Sequence, residues 1–522
     1  MTLPSTLPDV DIPDVSVPAF VLRKAGDHKD EQALVDGLSG DQLTYGQLVG
    51  YVDRVAAALV ERGIKPGDTV AVFSPNTIYY PVVFHGIAAA GALSSTINSL
   101  YTPREIAFQL KDSGAKMLIT VSPFLDRARA ATEKHPVEEI IVMDGAEGYA
   151  SLRDLLTSQA PSPQVKINAA EDLVTLPYSS GTTGLPKGVM LTHRNLVANV
   201  AQCEALFKMG PGERLIAVLP FFHIYGLTVL MNVGLSSGAT VVTMPRFDLE
   251  QFLTVLQDQK ITRAYVAPPI VLALAKHPLV DKFDLSTLTG ILSGAAPLDA
   301  DLADACANRL GCDVKQGYGM TELSPVSHAM PDGVAMPAGS VGVALPNTES
   351  RLVAVETGED AAAGEPGELW VRGPQVMRGY LNNDEATAAT IDSDGWLHTG
   401  DVAVVDEQGA FYIVDRVKEL IKYKGYQVAP AELEALLLGH PKIADAAVIG
   451  VQDEEGGEIP KAFVVVVSGQ EITAEEVMAH VEAHVAPHKK VRAVEFIDAI
   501  PKSASGKILR KDLRARGAAT AL

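Results

Sequence analysis

The sequence predicts an α/β protein: a large N-terminal domain of two helix-flanked β-sheets plus a small β-barrel, followed by a small α+β C-terminal domain. Three observations predict it. Apolar runs of strand length alternate with helical periodicity over 48–259. Between 339 and 415 the texture changes to short strands broken by Gly and Pro. After 415 it changes again, to a helix, a strand pair and a second helix. The 522 residues exceed what one core can use, and at ~100–200 residues per domain about three to four units are expected.

The stretch 48–62 carries apolar residues at helical spacing and stops at Gly63. A short apolar strand follows at 68–73, a buried helix over 80–92 and another strand at 116–121. Such alternation implies parallel strands covered by helices, because each strand must return to the same edge of the sheet through a crossover. The pattern recurs with strands at 214–219 and 239–244 and a helix at 249–259. No fixed period repeats, which excludes a solenoid. GELWVRG at 367–373 and AFYIV at 410–414 typify the β-rich stretch expected to form the barrel. Beyond it lie a helix at 430–438, strands near 446–449 and 461–467, a helix at 474–485, and a Lys/Arg-rich run over 489–516. The domain boundary is drawn at a hinge, giving 1–417 and 418–522.

The net charge of −21 argues against a general nucleic-acid binder and against docking on anionic lipid. Any polyanion must therefore find local Lys, Arg, metal or backbone N–H groups. The 3 cysteines, Cys203, Cys306 and Cys312, form no CxxC pair and no zinc spacing, and read as structural thiols in a reducing compartment. No basic segment followed by an apolar run opens the chain, no run of about 18 apolar residues follows, and no SKL-type tail closes it. A cytoplasmic protein without membrane insertion is expected; the oligomeric state is not legible.

The most informative stretch is YSSGTTGLPKG at 178–188. Glycines let backbone N–H groups approach an anion, hydroxyls donate further bonds, and Lys187 adds a movable positive charge. This is a phosphate grip, but not the Walker order, since Pro186 precedes Lys187 and Gly188 follows it. Six further stretches follow: PFFHIYG at 220–226, LSGAAP at 292–297, QGYGMTE at 316–322, GWLHTGD at 395–401, DRVKELIKYKG at 415–425 and PKSASGK at 501–507. In this order they resemble the adenylate-forming superfamily of acyl-CoA synthetases, adenylation domains and luciferases over essentially the whole chain. YKGYQVAPAELE at 423–434 and IPKSASGKILR at 500–510 look most similar to 4-coumarate–CoA ligases, and the Ala-rich composition looks bacterial.

The resemblance implies an acid–thiol ligase. ATP, with Mg²⁺, activates a carboxylic acid as an acyl-adenylate, and coenzyme A then receives the acyl group. A carboxylic acid with pKa near ~4–5 is already ionised at pH 7, so attack on the α-phosphorus needs alignment and charge neutralisation rather than a base. By resemblance Ser179, Ser180, Gly181, Thr182, Thr183 and Lys187 hold the phosphates, Thr321 contacts the α-phosphate and Glu322 holds Mg²⁺. Gln316, Gly317 and Tyr318 frame the adenine, with Tyr318 stacking, while Asp401 and Arg416 take the ribose. His223 lines the acyl site. Lys507 swings in on a mobile C-terminal domain that turns about Lys418. The turn then presents a second face carrying Lys422 and Gln427, with Lys424 and Gly425 near CoA. Tyr225, Val229, Gly294, Ala295, Gly319, Pro325 and Val326 form the acyl pocket. Several of these are small, which suits a flat cinnamate-type ring such as that of 4-coumarate, cinnamate or caffeate. Medium-chain fatty acids, benzoates and a carrier-protein acceptor remain alternatives, and the group that takes the thiol proton is left open.

Overall fold

The computed structural model describes residues 2–179, 186–423, 426–453, 457–503 and 506–519. Two large sheets fill the N-terminal region. In the eight-stranded sheet the strands Leu93–Thr96, Thr69–Phe73, Ala115–Thr120 and Glu139–Val142 run parallel side by side, and Leu173–Ser179 joins them in parallel. In the nine-stranded sheet Asp313–Gly319, Gly290–Ser293, Arg263–Val266, Arg214–Ala217, Thr240–Thr243 and Gln32–Asp36 are parallel neighbours.

Local chemistry sets the intervening helices. Tyr45–Glu61 and Pro103–Ser113 each start with a reciprocal capping box, Thr44 with Gln47 and Thr102 with Glu105. Each box satisfies donors that the first helical turn leaves free. Gly114 ends the second helix at φ 60°, a conformation that costs glycine nothing. The sequence-predicted helices at 80–92 and 249–259 appear as Tyr80–Ala89 and Leu249–Asp258. Their apolar faces bury Val82, Val83, Ile87, Phe252, Leu253 and Leu256 in one continuous core.

The stretch expected as a small barrel takes the form of a five-stranded antiparallel sheet. Its order is Thr2–Pro4, Glu349–Val353, Gly367–Arg372, Leu397–Val405, Phe411–Arg416. The first strand comes from the extreme N-terminus, where the sequence gives no strand signal. The C-terminal residues build a separate sheet from Ile421–Tyr423, Tyr426–Val428, Gly457–Val466, Ile443–Asp453 and Ala493–Phe496. Helices Pro430–Gly439 and Ala474–Glu482 contribute Leu433, Leu437, Val477 and Val481 to a core of its own.

This architecture points the carboxyl ends of parallel strands in one direction. The loops that leave Arg214–Ala217, Arg263–Val266, Gly290–Ser293 and Asp313–Gly319 carry His223, Ala267 to Pro269, Gly294 with Ala295, and Thr321 with Glu322. In a parallel sheet this edge is where loops can open a crevice for a ligand.

Candidate active site

The predicted phosphate grip begins and ends on paired strands. Leu173–Ser179 and Lys187–Thr192 run antiparallel, with Ser179 opposite Lys187 and Tyr178 opposite Gly188. Ser180, Gly181, Thr182 and Thr183 lie outside the described residues. A Cβ on Gly188 would come within 3.1 Å of the Tyr178 ring, so the two strands approach closely at this pair. Ser179 Oγ donates to Glu322 Oε1 at 3.0 Å, and the Tyr380 hydroxyl donates to the same oxygen at 2.8 Å. The ammonium of Lys187 stands 4.6 Å over the Tyr380 ring. Tyr380 has no motif around it. It arrives on the two-residue strand Gly379–Tyr380, which pairs with Lys187–Thr192 at the sheet edge.

Glu322 sits in a single 3₁₀ turn, Thr321–Leu323, and is 5% exposed. No cluster of three or more His, Cys, Asp or Glu able to hold a metal exists among the described residues. One buried carboxylate beside hydroxyl groups fits a magnesium ion that arrives with phosphate oxygens. It does not fit a cation held by protein alone.

On the other side, Asp401 and Arg416 are directly opposed on strands Leu397–Val405 and Phe411–Arg416. Arg416 Nε lies 3.3 Å from Asp401 Oδ1, and the Tyr318 hydroxyl donates to Asp401 Oδ2 at 2.6 Å. Burial raises the Asp401 pKa above its ordinary range, against the pull of Arg416 and the Tyr318 hydrogen bond. The tie to Asp401 fixes Tyr318 at its hydroxyl as well as at its backbone. Gln316 is buried, its N–H directed to Met330 Sδ at 3.4 Å. Gly317 lies opposite Ala329 on the paired strand, and a Cβ there would meet His328 O at 3.3 Å.

Lys507 arrives from the far end of the chain. Its loop is closed by Ser503 N–H on the Lys507 carbonyl at 2.8 Å and Gly506 N–H on the Ser503 carbonyl at 2.9 Å. A Cβ on Gly506, at φ +82°, would stand 3.3 Å from Ala267 and 3.4 Å from Pro269. The loop therefore rests on the start of helix Pro268–Lys276. Burial and then Arg416 push the Lys507 pKa down, while Asp401 and Glu322 pull it up. Burial, with a further push from the Lys507 charge, drives His223 down to about 3. His223 Nδ1 accepts Tyr225 N–H at 3.3 Å. A neutral imidazole whose Nδ1 accepts carries its proton on Nε2.

The predicted acyl pocket centres on Tyr225–Val233, a helix of wide π type. The Tyr225 hydroxyl donates to Leu292 O at 3.3 Å, and a Cβ on Gly294 would lie 3.2 Å from the Tyr225 ring. Val229 is fully buried, and Ala295 holds φ at 71°. Gly319 has a structural reason to be glycine, since a Cβ would strike Pro325 O at 2.1 Å. Asn199 fixes the adjacent strand, accepting Val326 N–H at 3.1 Å and donating to Val326 O at 2.7 Å. Two buried hydroxyls near this region, Thr228 Oγ1 and Ser293 Oγ, have no hydrogen-bond partner among the described residues.

Among the described residues the charges that act on Lys507 are Arg416, Asp401 and Glu322, and Lys422 of the second predicted face is not one of them. Lys422 and Gln427 stand opposite each other on the hairpin Ile421–Tyr423 and Tyr426–Val428. The Lys422 side chain is exposed, and its N–H goes to Glu458 Oε2 at 2.9 Å. Lys424 and Gly425 lie outside the described residues. The fold thus gathers Lys507, Asp401, Arg416, Glu322 and His223, while the Lys422 side chain stays exposed.

Residues 21–381 match the family model for AMP-binding enzymes, and residues 432–507 match that for the AMP-binding enzyme C-terminal domain. Among curated proteins, 4-coumarate–CoA ligase 5 of Oryza sativa subsp. japonica is 43% identical over 99% of this chain and 97% of its own length. 4-Coumarate–CoA ligase 1 of Petroselinum crispum is 43% identical over 98% and 96%. Among solved structures, the anthranilate CoA ligase AuaEII in complex with anthranoyl-AMP superposes with a TM-score of 0.91 at 28% identity, covering 98% of this chain and 99% of that one. ATP-bound MatB from Rhodopseudomonas palustris gives a TM-score of 0.87 at 30% identity, covering 96% and 99%.

Proposed function

The chain belongs to the adenylate-forming AMP-binding enzymes, and on that premise we propose that it is an ATP-dependent ligase that converts a hydroxycinnamate-type acid to its CoA thioester. The observation that carries the reaction type is the meeting of Lys507 with Asp401, Glu322 and Arg416 in one crevice, each felt in its electrostatics. The hydroxycinnamate assignment rests on the full-length similarity to 4-coumarate–CoA ligases.

In this reading a carboxylate oxygen of the acid attacks the α-phosphorus of ATP, the bond to the bridging oxygen breaks, and pyrophosphate leaves. Asp401 and Arg416 bind the ribose. Ser179 and Lys187 steady the phosphates together with the rest of the 180–183 loop, and Thr321 donates to the α-phosphate. Glu322 would hold Mg²⁺, which when bound offsets phosphate charge. Lys507 neutralises charge growing on the α-phosphate, and phosphate oxygens nearby restore its cationic preference. His223, neutral with its proton on Nε2, donates a hydrogen bond to the acid's carboxylate and fixes its direction of attack. Tyr225, Gly294 and Val229 wall the ring.

The thiol of CoA then attacks the acyl carbonyl, its proton passes to solvent, the acyl C–O bond to the phosphate breaks, and AMP leaves. Lys507 has no part in this step. The domain boundary at 417/418 supplies the motion: rotation about Lys418 withdraws Lys507 and brings in the Lys422 and Gln427 hairpin. A cytoplasmic location is proposed from the buried, unpaired state of Cys203, Cys306 and Cys312. Among the described residues no helix is long and apolar enough to cross a membrane.

Acid-dependent pyrophosphate release with Mg-ATP, over cinnamates, benzoates and fatty acids with and without CoA, tests the proposal. Release with hydroxycinnamates and a CoA-dependent thioester are expected. Release with fatty acids alone would overturn the substrate assignment.

A further inference from the structure

Helix Pro430–Gly439 is the first helix of the C-terminal domain, and charged side chains from the larger body hold it at both ends. At its start, Pro430 and an uncapped Ala429 leave the first turn without a side-chain cap of its own. Asp415, on strand Phe411–Arg416, supplies one from across the hinge: its Oδ2 accepts Ala431 N–H at 3.0 Å. Its Oδ1 accepts Arg416 N–H at 2.6 Å. At the other end, Lys276 Nζ donates to Leu438 O at 3.1 Å. An anion at the N-terminus and a cation at the C-terminus both complement the helix dipole.

Asp415 is 7% exposed, and the adenylation chemistry gives it no task. Burial raises its pKa to about 6, against the backbone donors and Arg510. Carrying a buried carboxylate is costly unless its contacts matter. A small apolar cluster of Val402, Leu420 and Ala429, flanked by Val414 and Val417, backs the same junction. Lys276 closes the helix that begins at Pro268, and it is the other end of this helix that receives the Lys507 loop. Both helices therefore meet the opposing domain at two points.

We infer that Asp415 and Lys276 are positioning residues that clamp helix Pro430–Gly439 and so hold the C-terminal domain in the arrangement that presents Lys507. The inference rests on the rotating-domain reading above. Asp415 precedes Lys418 and Ala431 follows it, so the bond spans the hinge and resists rotation. The clamp favours the first half-reaction and must open for the second.

The test uses the full-length enzyme, with 4-coumarate as the acid. The first half-reaction is read as acid-dependent exchange of pyrophosphate into ATP, and the second as thioester formation from supplied coumaroyl-adenylate and CoA. Asp415→Ala should slow the first about tenfold, the scale of a lost hydrogen bond to a charged group. Lys276→Ala, a surface change that leaves the core intact, should slow it about threefold. The second half-reaction should hold or quicken in both variants, and Asp415→Asn, which keeps an acceptor oxygen, should recover part of the first. Unchanged exchange in both variants overturns the clamp, as does an equal fall in the two half-reactions. Lys507→Ala run in parallel separates the causes. If it splits the half-reactions and the clamp variants do not, only the clamp fails; if it slows both equally, the rotating-domain reading fails and the clamp with it.

Discussion

His223 shows how one residue's environment fixes what it can do. Burial holds its pKa near 3, so its charge does not change across the working range of the enzyme. His223→Ala should therefore lower kcat/KM with 4-coumarate while leaving the shape of the pH–rate profile between pH 5 and 8 unchanged. Loss of an inflection near pH 6.5 in the variant would show that the imidazole titrates. Gly294 gives a steric counterpart, because its missing Cβ would stand 3.2 Å from the Tyr225 ring. Gly294→Ala, which adds that one carbon, should reduce kcat/KM for cinnamates by about 10–200-fold, the usual range for a pocket changed by one methylene, and spare short acids. Competition between 4-coumarate and a short aliphatic acid reads this out. At this scale the motifs were legible one by one, and the structure brings Lys507, Asp401, Arg416, Glu322 and His223 from five of them to one place. Tyr380 was not legible: its bonds to Glu322 and Lys187 depend on an edge strand that brings residues distant in sequence together. Asp415 and Lys276 were hidden for the same reason.

Among the elements, helix Pro430–Gly439 is tied inward as well as across the hinge. Glu434 accepts Val448 N–H at 2.7 Å and pairs with Arg510, three residues beyond Lys507, through both guanidinium ends. The side chains are only 11% and 15% exposed. Removing one partner leaves the other charge buried, so Glu434→Ala should cost about 3 kcal/mol. Denaturant titration should show an earlier transition, and an unshifted one would contradict the pair's structural role. Periodicity exposed the parallel units because strands buried on both faces read as unbroken apolar runs, as in Thr69–Phe73. It could not show that Thr2–Pro4 joins the antiparallel sheet, because a three-residue edge strand with Pro at its end carries no pattern to read.

For the whole molecule, buried histidines set the response to acid. Desolvation lowers the buried His85 and His328 and the half-buried His223 to about 3, and the buried His193 to about 4. An unfolded chain protonates these groups near pH 6.5, so between about 4 and 6.5 it binds more protons than the folded chain and stability falls as pH falls. Asp401 and Asp415 act in the opposite sense, with raised pKa values, but they are fewer. The melting temperature should drop steadily from pH 7 to pH 5, and a flat profile would contradict the neutral burial of these rings. The proposed two-step chemistry also lives at this scale, since in that reading one small domain serves the crevice twice. Lys507→Ala, assayed for both half-reactions in the same preparation, is the decisive experiment. Acyl-adenylate formation should fall about 10²–10³-fold while thioester formation from supplied adenylate persists. An equal loss of both would mean that Lys507 does not leave the crevice between the steps.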